Sequence, residues 1–120
     1  MITGVHALMF SRDADAVRRF LRDVLEFQSV DAGDGWLIFA LPPAELACHP
    51  SPQAEAGRAE LFLMCQDVEA TRRELEAQNV EFVAPVTDAG YGLMTRLLVP
   101  GFGELGLYQP RHPSLLPGFK

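Results

Sequence analysis

The stretch Glu60 to Asp67, ELFLMCQD, repeats the plan of His6 to Asp13, HALMFSRD, at a distance of 54 positions. Each is an apolar run that ends in an aspartate and leads into a segment of helical periodicity, so the chain reads as one module written twice. The repetition extends to residue identity. Ala16, Arg18, Arg19 and Leu21 recur as Ala70, Arg72, Arg73 and Leu75, and the turns Asp31 to Gly35 and Asp88 to Gly92 both begin Asp-Ala-Gly. His6 and Glu60 become pseudo-symmetric partners at the head of equivalent strands, and anything built between the halves involves both.

Within the first copy, Val5 to Phe10 is a nearly continuous apolar strand, with His6, Leu8 and Phe10 on one face and Ala7 and Met9 on the other. Asp13 is a suitable N-cap for a helix whose apolar stripe is Val17, Phe20, Leu21, Val24 and Leu25. Phe27 to Val30, Trp36 to Leu41 and Glu45 to His49 then read as short strands. Pro42, Pro43 and Pro50 interrupt the ladder, because proline donates no backbone hydrogen bond. Residues 1–50 thus form a βαβββ module, 51–58 a polar linker and 59–109 a second module. That second module comprises Leu61 to Cys65, a helix capped by Asp67, Val80 to Val83, Leu93 to Val99 and Glu104 to Tyr108. Residues 110–120 are a proline-rich tail expected to pack on a surface or a partner.

A chain of 120 residues with 48% apolar content suffices for one globular domain. Its net charge of −6 and scattered basic residues give no footprint for nucleic acid or an anionic membrane. No apolar run approaches the roughly 20 residues of a membrane span. Cys48 and Cys65 sit in apolar runs and form no CxxC pair, which favours reduced thiols and a cytoplasmic location.

The doubled βαβββ unit, with Phe20, Leu21, Arg22, Asp23, Val24, Leu25, Glu26 and Phe27 closing its first helix, resembles the vicinal oxygen chelate superfamily. This is the glyoxalase, bleomycin-resistance and extradiol-dioxygenase fold. Its helix motif is usually an aromatic pair followed by Arg-Asp-x-Leu-Gly-Phe; here Leu21 replaces the second aromatic and Glu26 the glycine. Pro100, Gly101, Phe102 and Gly103 match the family's turn before the last strand. The resemblance implies an α+β architecture of two tandem modules, their sheets forming paired half-barrels around a pocket with helices on the convex side. It also implies a homodimer, with modules paired within one chain or exchanged between chains.

Metal-dependent relatives place ligands on the first and fourth strands of each module. By that resemblance the four positions fall on His6, Ala47, Glu60 and Gly106, of which only His6 and Glu60 can coordinate. Ligands displaced by two residues are conceivable at His49 or Glu104, although two residues span roughly 6.6 Å along a strand against a metal–ligand bond of about 2 Å. The small residues at Ala47 and Gly106 leave space for a ligand bounded by Leu8, Phe10, Trp36, Phe62, Tyr91 and Tyr108. The leading expectation is a protein that binds a small organic molecule without an essential metal. The alternative is a lyase, isomerase or ring-cleaving dioxygenase using zinc, iron, nickel or manganese on His6 and Glu60. A third reading is metal-free proton transfer by Glu60 as the catalytic carboxylate. Without metal, Glu60 can also pair directly with His6.

Overall fold

The computed structural model describes residues 1 and 3–119, and for Glu55 the backbone alone. Helix α1, Ala14–Asp23, begins where Asp13 accepts a hydrogen bond from the Ala16 amide at 3.1 Å. Helix α2, Val68–Glu76, begins where Asp67 accepts from Ala70 at 3.0 Å. The caps satisfy amide groups that a helix start leaves without an internal acceptor, and they fall on the same step of the repeat.

The halves differ in their sheets. In the second, β3 (Phe62–Met64), β4 (Phe82–Asp88), β5 (Gly92–Val99) and β6 (Gly103–Pro110) form a four-stranded sheet of order β3-β6-β5-β4, with β3 parallel to β6. In the first, only β1 (Ser29–Asp31) and β2 (Leu37–Phe39) pair, as an antiparallel hairpin. The expected strands Val5 to Phe10 and Glu45 to His49 join no ladder among the described residues. Prolines bound the second of these stretches closely. Glu45 to His49 is confined between Pro42-Pro43 and Pro50, whereas its counterpart β6 runs eight residues and pairs on both edges. Without a fourth strand to lie beside, Val5 to Phe10 has no parallel partner. Val5 and Phe10 are 94% and 84% exposed. The modules are therefore not equivalent half-barrels in the single chain.

One core joins both halves. Leu97, Val99, Leu105 and Leu107 pack from the sheet against Val68, Leu75 and Val80 of the α2 region and Val17 and Phe20 of α1. Burial of this apolar surface is the main stabilising term. The turn between β5 and β6 locks α1 to the sheet: Ser11 Oγ donates to the Gly101 carbonyl, and a Cβ on Gly101 would lie 2.7 Å from the Asp13 carbonyl oxygen. Gly101 also has φ +83°, a conformation that favours glycine. Behind the sheet, Arg72 of α2 donates to the Ala84 carbonyl at 2.8 Å and to Thr95 Oγ1 at 3.2 Å, and lies over the Phe82 ring. No helix among the described residues is long and apolar enough to cross a membrane.

Candidate functional site

Alternation along the strands sorts the two faces of the large sheet. Thr95, Leu97 and Val99 of β5 and Leu105 and Leu107 of β6 are buried on the helix side, which sends Met94, Arg96 and Leu98, and Glu104, Gly106 and Tyr108, to the opposite face. Strand register then aligns them in rows. Phe62 pairs with Gly106, and Gly106 pairs with Arg96, so an aromatic ring, a glycine and a guanidinium stand side by side across three strands. The glycine permits the arrangement. A Cβ at Gly106 would lie 3.1 Å from Phe62 Cγ and closer still to Cδ1 and Cε1, so the ring occupies the volume that a side chain there would need. The Arg96 guanidinium lies 5.7 Å from the Phe62 ring centre, within cation–π range. The space expected over Gly106 is thus filled from the neighbouring strand.

Beside this row opens a cavity of about 370 Å³. Its walls include Leu8, Leu61 and Phe102, and its charged groups are Glu60, Arg96 and Glu104. Glu60 is held by Arg58 at 2.5 Å and approached by Arg96 at 3.7 Å. His6 does not meet it: the His6 segment joins no sheet, so nothing aims the imidazole at Glu60, and His6 is exposed and absent from the cavity lining. A direct pair of His6 with Glu60 does not form. Glu60 and Glu104 do share the cavity.

A second cluster lies farther along the same face, around Tyr108. The Tyr108 ring lies 6.2 Å from Phe62, 5.9 Å from Tyr91 and 5.8 Å from His112, the last nearly parallel. Its hydroxyl donates to the Tyr91 carbonyl at 3.1 Å. Burial, reinforced by Tyr91 and the Glu45 carboxylate, pushes the Tyr108 phenol above its usual range, so it stays neutral and a hydrogen-bond donor. The C-terminal tail covers this cluster. Arg111 pairs with Asp88 at 2.7 Å, Ser114 donates to Glu45 at 2.7 Å, His112 lies 3.6 Å from Glu45, and Gln66 donates to the Gly118 carbonyl at 2.7 Å.

The remaining sequence candidates are dispersed. His49 is exposed, bonded through Nδ1 to the Pro50 carbonyl, with its ring 6.5 Å from Tyr91. Trp36 is 62% exposed and sits under Arg18 of α1. Phe10 and Ala47 are exposed. No three His, Cys, Asp or Glu side chains among the described residues are grouped so as to hold a metal ion. The donor set of a four-ligand divalent site does not fit these residues, since Phe62 fills the place over Gly106 and Arg58 engages Glu60. Sequence reasoning does not reach Arg96, although it is the one charge in the otherwise uncharged run Leu93 to Val99, nor His112, whose neighbours Tyr108 and Glu45 are brought to it only by the fold.

The model of the Glyoxalase/Bleomycin resistance protein/Dioxygenase superfamily matches residues 4–102. No curated protein matches the chain. Among solved structures, an antibiotic-binding protein from Streptomyces, TnmS3, superposes with a TM-score of 0.62 at 20% identity, covering 92% of this chain and 99% of that one. A superfamily member from Sphaerobacter thermophilus gives 0.59 at 20% identity over 89% and 97%. A lactoylglutathione lyase from Agrobacterium tumefaciens gives 0.59 at 16% identity over 88% and 95%. At these identities the likeness is one of fold.

Proposed function

The chain belongs to the Glyoxalase/Bleomycin resistance protein/Dioxygenase superfamily, and from that premise we propose that it binds a small, largely apolar organic molecule against the face formed by β3, β6 and β5. The observation that carries this reading is the row Phe62, Gly106, Arg96. Where metal-dependent relatives carry a glutamate, the glycine admits an aromatic ring, and a cavity with apolar walls opens beside it. Such a surface offers a ligand contact area and orientation. The structural likeness to an antibiotic-binding protein supports the same class of function. A homodimer belongs to the proposal, because Val5, Phe10 and Leu46 present apolar side chains that are 94%, 84% and 91% exposed in the single chain.

The test is equilibrium binding of fused-ring aromatic compounds to the untagged protein, before and after dialysis against chelator, with metal content measured on the same samples. Saturable binding that survives chelation is expected. Stoichiometric zinc, iron, nickel or manganese, together with loss of binding on its removal, would overturn the reading. Sedimentation of the same samples reads the dimer.

A further inference from the structure

Two arginines meet the large sheet, one on each face, and they use their donors differently. Arg72, behind the sheet, spends Nη1 on the Ala84 carbonyl and the Thr95 hydroxyl, and its Nε faces Glu76 at 3.5 Å. The Arg96 guanidinium, in front, makes no hydrogen bond to any described residue. Its one ionic contact, to Glu60 at 3.7 Å, is longer than a hydrogen bond, and that carboxylate is already engaged by Arg58. Arg96 is nevertheless well positioned. It stands mid-strand on β5, which is paired with β4 on one side and β6 on the other, and its guanidinium rests over the Phe62 ring. A planar fork of donors is thus held at the edge of an apolar cavity with its hydrogen-bonding capacity unspent.

We propose that Arg96 anchors an anionic group, a carboxylate or similar planar oxyanion, on an aromatic ligand whose ring lies against Leu8, Leu61 and Phe102. The assignment rests on the small-molecule reading of this face and narrows it to aromatic acids. A guanidinium matches a carboxylate through two parallel hydrogen bonds, which an ammonium cannot reproduce. The competing carboxylates do not reverse the preference. Glu60 has Arg58 as its neutralising partner, and Glu104 is exposed where water solvates it. The guanidinium, part-exposed and resting over the Phe62 ring, has no acceptor within hydrogen-bond distance among the described residues.

Three ring-matched probes separate the possibilities: 2-naphthoate, 2-naphthamide and 2-naphthylmethylammonium, titrated calorimetrically into the full chain at neutral pH. The anion should bind about tenfold or more tightly than the amide or the ammonium, the ratio that one charge-assisted bidentate contact supplies. Arg96→Gln should erase that preference, while Arg96→Lys should restore only part of it. Equal affinity for the three probes, a preference for the ammonium, or a naphthoate preference that persists in Arg96→Gln would overturn the anchor and leave the binding face standing. Should none of the three bind, the small-molecule reading falls and the anchor with it. The comparison among probes uses the unmodified protein, so it decides even where a variant does not fold.

Discussion

Replacing Gly106 by alanine asks whether the Phe62 ring takes the place of a side chain at that position. The added methyl would lie 3.1 Å from Phe62 Cγ and closer to two other ring carbons, so the ring must swing out. Leaving costs the ring its edge contact with Tyr108, about 0.5–1.5 kcal/mol, and its contact with Arg96, about 0.5–1 kcal/mol at a part-exposed site. Gly106 has no positive φ, so the strand itself gains about 0.5–1 kcal/mol from alanine over glycine. The balance is a destabilisation of about 1 kcal/mol. In a Phe62→Ala background there is no ring to displace, and the same substitution should stabilise by about 0.5–1 kcal/mol. A double-mutant cycle by urea unfolding should therefore return a coupling of roughly 1–2.5 kcal/mol between positions 62 and 106. Additivity within about 0.5 kcal/mol would mean that the ring and the glycine are independent. The account of the emptied ligand position would then fail.

Arg72→Met keeps the stem of the side chain but removes its donations to Ala84 and Thr95, and should cost about 1.5–3 kcal/mol in urea unfolding; a cost under about 0.5 kcal/mol would show that Thr95, which itself donates to Ala84 at 2.7 Å, suffices. Gly101→Ala should cost about 2 kcal/mol or more, since both the positive φ and the approach to the Asp13 carbonyl resist a methyl, and amide exchange at Ala16 should accelerate with it. The Asp88 carboxyl is held below its ordinary value of 3.8, first by the Gly90 amide and then by Arg111. Its stabilising contribution is present above pH 3.8 and is lost as pH falls through the depressed folded value. Asp88→Asn should accordingly lower the melting temperature near neutrality, with the gap closing on acidification; a gap that persists below the folded value would refute the assignment.

The parts of this fold that sequence reasoning reaches are those decided within a few residues. Asp13 and Asp67 act as caps because an aspartate three residues before a free amide can accept from it wherever the helix later packs. The Asp-Ala-Gly turns are equally local: Asp31 accepts from Gly33 at 2.7 Å and Asp88 from Gly90 at 2.8 Å. Pairing between distant strands is another matter. The repeat transfers the pattern of strands from one half to the other, but a ladder also needs free donors along its length. Pro42, Pro43 and Pro50, which have none, confine Glu45 to His49 to a short stretch, while β6 runs without such interruptions until its last residue, Pro110.

The same distinction governs the site. Judged by its own side chain, Gly106 is a missing ligand and hence an empty place. Judged by its row, it is the gap that lets Phe62 reach across toward Arg96. The chemical meaning of a glycine in a sheet belongs to its cross-strand neighbours, because they decide whether the vacated volume goes to solvent, to a ligand or to a ring. Register is what links positions 62, 96 and 106, and register follows only once the strands have been paired. Arg96 is a charge in an apolar strand, but its role follows only from knowing that its nearest carboxylate, Glu60, already has a partner. Counting ligands position by position cannot yield that, since the property at stake depends on Arg58 and Glu60, ahead of β3, together with Arg96 on β5.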